Sequence, residues 1–203
     1  MIGDKYTKFS ATGGGSVGAT LMKTGQTTSY RTGDDGDIEA GRATDFLTLA
    51  SNNPFGNTNR FTDELGGTTY TKNIVIDWST YNGTNVLGYY RITPVLDVTW
   101  NSAIDLALAF FVVGFTSGWR LPNKKELENI WNGSVTHGYN YSPFNLGTSL
   151  AFWTSTTLIA SSGFAYQLQL ANFGQMDYAQ KTSSANMRYL SVRNFTVTGT
   201  TLS

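Results

Sequence analysis

The chain has 203 residues, and its 14 Lys and Arg balance 14 Asp and Glu, so no cationic surplus exists to build a phosphate-binding face for nucleic acid or an anionic membrane surface. Cysteine is absent, which removes disulfides, thiolate nucleophiles and zinc–thiolate sites together. A chain of this length buries roughly 70% of its unfolded surface without staples.

Residues 1–22 are polar and glycine-rich, with Gly13-Gly14-Gly15, and are expected to form an arm or linker. Residues 23–203 are expected to form the domain. No apolar stretch follows Met1-Ile2-Gly3-Asp4-Lys5, so no secretory signal is expected. Next comes an acidic turn, in which Asp34, Asp35 and Asp37 surround Gly36. Closely spaced carboxylates at such a turn could hold calcium, although the spacing is not that of an EF-hand. A solvated acidic turn without any cofactor is the alternative. From 38 to 72 the chain reads as irregular.

Asn73-Ile74-Val75-Ile76-Asp77-Trp78 reads as a buried strand, and Tyr89-Tyr90-Arg91-Ile92-Thr93 as another. A first helix is predicted from Thr99 as cap to Phe111, with Trp100, Ile104, Ala107, Leu108 and Phe111 at helical spacing. The apolar run Leu106–Phe115 is too short to span a bilayer, which takes about 20 residues, so a buried element is expected and no membrane insertion. A second helix follows Pro122. Asn123 and Glu126 have capping-box spacing, and Leu127, Ile130 and Trp131 form a stripe that Asn132-Gly133 ends. Three strands are predicted beyond it, at Phe152–Thr156, Ala165–Leu170 and Tyr189–Arg193. Alternation puts Tyr166, Leu168 and Leu170 on one face and Gln167 and Gln169 on the other. The order of elements, with no internal repeat, predicts an α+β fold: helices beside a twisted, mostly antiparallel sheet.

Gly118-Trp119-Arg120-Leu121-Pro122-Asn123-Lys124-Lys125-Glu126-Leu127 resembles the W-R-L-P-x-x-x-E-L signature of the Lcl C-terminal domain family. Thr99-Trp100-Asn101-Ser102-Ala103 is similar to that family's T-W-x-x-A helix start, and Phe152-Trp153-Thr154-Ser155-Thr156 to its Y-W-S-S-T strand. Ala165-Tyr166, Gly174 and Val192-Arg193 fit its closing strands. Lys23–Thr27 and Arg60-Phe61-Thr62-Asp63 resemble upstream segments, so the likeness runs from about residue 23 to about 194. It implies a C-type-lectin-like fold and a role in adhesion or recognition. Family members often carry a cysteine pair, and Ser191 stands at the second of those positions here. The E-P-N and W-N-D sugar motifs of calcium lectins are also missing.

Trp119, Leu121, Leu127 and Trp153 are expected to organise the core, since a buried aromatic removes ~150–250 Å² from water. Arg120, Arg188 and Arg193 are expected to pair with Glu126 or buried carbonyls. His137 is the only histidine, and no Ser lies in a nucleophile elbow, so no catalytic residue is assigned and no enzyme is expected. The glycine trio lacks the Lys and Ser or Thr of a phosphate loop.

The candidate ligand face lies in 134–186. Its aromatic members are His137, Tyr139, Tyr141, Phe173 and Tyr178, which can stack on a sugar ring. Its polar members are Asn145, Gln175, Asp177 and Asn186, which can fix hydroxyls. The plainer alternative is that half of these pack the core. With the resemblance, the face implies a phage virion protein, either receptor-binding or decorating, that binds a host-surface glycan or protein. The arm would then join it to virion proteins or sister subunits in a homo-oligomer, with a trimer expected. The alternatives are a purely structural virion component and a bacterial surface adhesin located outside the cell.

Overall fold

The computed structural model describes Thr32 and residues 53–92, 97–132, 141–147, 150–170 and 174–203. The fold is α+β, with two helices against two curled, mostly antiparallel sheets. The larger sheet contains β1 (Phe61–Thr62), β2 (Ile74–Asp77), β3 (Asn85–Tyr90), β4 (Trp119–Arg120), β9 (Ser191–Thr198) and β10 (Thr201–Leu202). In it β9 lies centrally, antiparallel to β3 on one side and to β4 and β10 on the other. The smaller sheet contains β5 (Ala151–Thr157), β6 (Phe164–Gln169), β7 (Gln175–Gln180) and β8 (Met187–Arg188), in the order β7-β6-β5-β8. Only β5 and β8 run parallel among the described pairs.

Three apolar layers follow from strand alternation. Val75, Leu87, Tyr89 and Val192 of the larger sheet meet Phe152 and Leu168 of the smaller one in a shared central core. Leu127 and Ile130 close that core from helix α2 (Lys124–Asn129) and its C-cap. On the outer face of the larger sheet, Ile74, Ile76, Val86 and Phe195 pack with Trp78 and Trp119. On the outer face of the smaller sheet, Ala151, Trp153 and Ala165 pack with Ala103 and Ala107 of helix α1 (Trp100–Leu108). The expected role of the two tryptophan segments is met, because Trp119 is 2% and Trp153 0% exposed. Each also spends its indole N–H, Trp119 on the Phe115 carbonyl at 2.8 Å and Trp153 on the Val98 carbonyl at 2.9 Å. Gly88 sits mid-strand because Phe195 lies over it: an added Cβ would come within 2.4 Å of that ring.

The predicted helix starts are found. Thr99 caps α1, and the Asn123–Glu126 capping box is complete. The first helix, however, ends at Leu108 rather than Phe111. Phe110 leaves the helical path to pack against Tyr90 and Trp119, at ring distances of 4.6 and 5.2 Å. Phe111 is thereby turned out and is 67% exposed. The strand predicted at 89–93 lies earlier, at Asn85–Tyr90, because its partner β2 begins at Ile74, opposite Tyr90. The strand predicted at 189–193 starts at Ser191 and continues to Thr198. β7 was not predicted, and it pairs along its whole length with β6. The 1–22 arm lies outside the described residues. Among the described residues, no helix is long and apolar enough to cross a membrane.

Candidate functional site

The outer face of the smaller sheet is only partly covered by α1. Its register aligns Trp153, Gln167 and Asp177 in one row and Ala151, Gln169 and Gln175 in the next. Beyond the helix, Gln167, Ala151 and Gln169 from these rows floor an open trough of about 550 Å³. Gln167, Gln169, Ala151 and Ala179 form its base, and Ser183–Met187 with Leu150 form its wall. Not one of its described lining side chains is charged. Gln167 is 7% exposed and lies at the trough floor, and its side-chain amide is not among the buried polar atoms left without a partner.

The wall is held in place by the backbone. Ser183 N–H donates to the Gln180 carbonyl at 2.9 Å, and Met187 N–H to the Ser184 carbonyl at 3.0 Å. Asn186, in a left-handed conformation at φ 61°, donates its N–H to Asp97 Oδ1 at 2.7 Å. Its carbonyl accepts from Ala151 N–H at 3.2 Å, and the Met187 carbonyl accepts from Val98 N–H at 3.2 Å. A wall tied to both β5 and the α1 approach is preorganised, which lowers the ordering cost of binding. The nearby cation Lys181 is committed elsewhere, over the Trp100 ring at 3.9 Å and to Thr157 Oγ1 at 2.9 Å.

A second concavity of similar size lies beside α2, lined by Ser79, Thr80, Tyr89, Glu126 and Asn129. Under it runs a buried ionic network that sequence reading missed. Arg60 donates from Nε and Nη2 to the two carboxylate oxygens of Asp77, at 2.9 and 2.8 Å. Arg60 Nη2 also donates to the Asn129 carbonyl at 2.7 Å, and Asn129 Nδ2 donates to Asp77 Oδ2 at 3.0 Å. Burial alone would lower the Arg60 pKa, but Asp77 more than offsets this and holds it above its ordinary value. Tyr89, fully buried and near Asp77 and Glu126, has its phenol pushed well above the usual range. Its hydroxyl donates to the Glu126 carbonyl at 2.8 Å. These groups satisfy one another, so the network ties β1 and β2 to α2 rather than facing a ligand. The available signal was a lone carboxylate ending the apolar run Ile74-Val75-Ile76-Asp77.

Of the sequence-predicted ligand residues, Gln175, Asp177 and Asn186 are exposed and share the trough's face or wall. Tyr178 is 52% exposed but lies on the opposite face, against Phe164 at a ring distance of 5.9 Å. Asn145 is exposed in a separate turn, at φ 47°. Tyr141 is a correction. It is 7% exposed, its ring packs on Phe61 and Phe144, and its hydroxyl donates to the Ile130 carbonyl at 2.7 Å. An apolar ring with a satisfied hydroxyl belongs to the core. His137, Tyr139 and Phe173 lie outside the described residues, as do Asp34, Asp35 and Asp37. The residues that sequence reading passed over are Gln167 and Gln169, which alternation put together but no local feature marked as a floor.

The model of the Lcl C-terminal domain family matches residues 60–192, about two thirds of the chain. The chain belongs to the Lcl C-terminal domain family. Membership points to an adhesin- or phage-type domain. No curated protein matches the chain. The matched segment opens at Arg60, whose guanidinium anchors the buried network, and closes at Val192 in the central strand. The likeness read at Lys23–Thr27 lies upstream of the match. Within this Lcl C-terminal domain the W-R-L-P segment is structural. Arg120 donates to both carboxylate oxygens of Glu126, and Glu126 Oε2 accepts the Asn123 N–H at 2.8 Å. The Pro122 carbonyl accepts from Ser155 N–H at 2.8 Å, tying the signature to the Trp153 strand. The trough therefore opens on a sheet that the family's two tryptophan segments hold rigid.

Proposed function

We propose that this Lcl C-terminal domain is a non-enzymatic recognition module with a C-type-lectin-like fold, carried on a phage particle and binding a host-surface glycan or protein. The fold assignment draws on two short helices against curled antiparallel sheets, with β9, near the chain's end, in the middle of the larger one. The observation that carries the functional reading is the trough, a preorganised polar concavity on an outer sheet face, floored by Gln167 and Gln169 and with no charged side chain among its described lining residues. None of its described lining side chains is titratable, so those residues bind and orient without exchanging protons near neutral pH. Receptor binding and particle decoration both fit a domain of this kind.

The test is saturable binding of the purified full chain to host cells. Binding that isolated host-surface material competes away supports the reading. Absence of saturable binding to cells or surface material sinks it.

A second reading, a structural particle component with no host ligand, draws on a different feature. Leu108 at the end of α1 and Phe111 and Val113 just beyond it are 61, 67 and 81% exposed. Clustered exposed apolar side chains mark protein contacts more often than sugar sites. A chain dispensable for attachment but retained in purified particles would favour this reading.

A further inference from the structure

We infer that the outer face of the larger sheet docks a protein partner through an acidic residue flanked by apolar side chains, at a site built on Arg193, Lys72 and the hairpin that pairs Val112 with Phe115. This site is separate from the trough, which opens on the smaller sheet, and it goes beyond the proposed recognition role.

Arg193 is a half-buried cation left without an acid. On β9 it stands opposite Gly88 and Trp119, with its guanidinium 5.2 Å from the centre of the Phe115 ring and 4.8 Å from that of Phe195. The two rings hold the group in place. Gly118 leaves room beside it, since an added Cβ there would come within 3.3 Å of Nε. Glu126 serves Arg120 with both carboxylate oxygens, but no described residue does this for Arg193. Its Nη1 is buried without a hydrogen-bond partner. Burial lowers the Arg193 pKa with no acid to offset it, whereas Asp77 and Glu126 raise those of Arg60 and Arg120. A guanidinium held by its neighbours and lacking an anion is a preformed fork for a planar carboxylate.

The surroundings of the fork are both cationic and apolar. The Lys72 ammonium lies 5.3 Å from the centre of the same Phe115 ring, and 3.9 Å from where a Cβ would stand on Gly114 at the hairpin's turn. The Glu64 carboxylate contacts it at 3.4 Å and neutralises it in part, so Arg193 carries the selection. The hairpin is closed by Phe115 N–H donating to the Val112 carbonyl at 2.8 Å and Val112 N–H to the Phe115 carbonyl at 3.2 Å. Along it the side chains alternate. Phe110 and Val112 pack into the outer apolar layer, while Phe111 and Val113 stand exposed. Cations and apolar knobs thus share one hairpin.

This pairing selects protein over other anions. Exposed apolar side chains gain only from burial against an apolar surface, which a sulfated sugar does not offer. An anionic bilayer is drawn by clusters of projecting cations. Here Arg193 is held between rings, Lys72 is shared with Glu64, and the chain has no net charge.

The experiment titrates the isotope-labelled full chain with acetyl-Leu-Glu-Phe-amide, with its Gln counterpart, with heparin oligosaccharide and with phosphatidylserine vesicles, following the Arg193 Nε–H and the Val113 methyls by NMR. The Glu peptide should shift both signals saturably and bind at least about tenfold tighter than the Gln peptide. Arg193→Gln should weaken it by a similar factor. Val113→Asp, at an exposed turn position, should do the same by setting a carboxylate beside the cations, and serves if the Arg193 variant fails to fold. Equal affinity for the Gln peptide overturns the carboxylate assignment. Absence of a saturable shift with the Glu peptide, or full affinity in Val113→Asp, overturns the site. Tighter binding of heparin or of vesicles overturns the choice of a protein partner. Host-cell binding through the trough is read separately, so neither result decides the other.

Discussion

Arg60 and Asp77, each with a side chain 0% exposed, meet through two parallel hydrogen bonds of 2.9 and 2.8 Å across the paired ends of β1 and β2. The pair is the polar bolt of the larger sheet. Asp77 also accepts from Ser79 N–H at 3.0 Å and from Ser79 Oγ at 2.6 Å, starting the turn Trp78–Thr80. Removing one member leaves the other buried, charged and uncompensated. Asp77→Ala is expected to cost about 3–5 kcal/mol in urea unfolding, the usual range for a broken buried pair. The double change Arg60→Met with Asp77→Leu should recover most of that loss. A single variant within about 1 kcal/mol of the parent would show that the pair is not desolvated as described.

The two tryptophans hold the outer layers. Trp153→Ala should destabilise the fold by about 3–5 kcal/mol, and Trp119→Ala by a similar amount. Trp153→Phe should cost less, yet not zero, because the Val98 carbonyl loses its indole N–H donor. The Val98 N–H in turn donates to the Met187 carbonyl at 3.2 Å, so freeing Val98 should loosen the trough wall. Amide exchange at Val98 and Met187 reads that loosening directly.

Much of this frame was legible because its signals are local. The caps Thr99 and Asn123 mark helix starts through side-chain oxygens that need only the next three residues. What stayed hidden depends on distant partners. Gln175-Met176-Asp177-Tyr178-Ala179-Gln180 contains no β-branched residue, and it is a strand because β6 supplies the ladder. Phe111 has helical spacing, but the packing of Phe110 on Trp119 overrides it. The Arg60–Asp77 pair spans seventeen positions and emerges only from the register Phe61↔Asp77. At the candidate site, alternation grouped Gln167 with Gln169, but the wall comes from an irregular segment after β7 that no periodicity announces.

Asn123→Ala removes the oxygen that accepts from Glu126 N–H at 3.0 Å. A loss of about 1 kcal/mol is expected by denaturant midpoint. Glu126→Gln should retain the capping geometry while weakening the fork to Arg120, which Glu126 holds above its ordinary pKa chiefly by hydrogen bonding. The two losses should not add, since both act on the one capping box that Asn123 and Glu126 form.

Alkaline pH should unfold the domain through two phenols. Burial, with Asp63 nearby, pushes Tyr70 from 10.0 up to about 12, and burial near Asp77 and Glu126 pushes Tyr89 well above 10.0. Each folded-state value exceeds its unfolded value. The stabilisation is therefore complete below about pH 10 and is lost as pH climbs through the folded-state values. Tyr70→Phe should flatten the stability profile between pH 10 and 12, read by thermal melts at fixed ionic strength. An unchanged profile would contradict the assignment of that phenol.

The most direct measurement of the central claim, that the rigid sheet exists to present the trough, is host-cell binding by fluorescently labelled full chain in three forms. The parent and Tyr178→Ala, altered on the opposite face of the same sheet, should bind within about twofold of one another, a difference under about 0.5 kcal/mol. Ser183→Trp should lose at least about tenfold, or ~1.4 kcal/mol. Binding that survives Ser183→Trp and falls with Tyr178→Ala would contradict the account and move recognition to the other face.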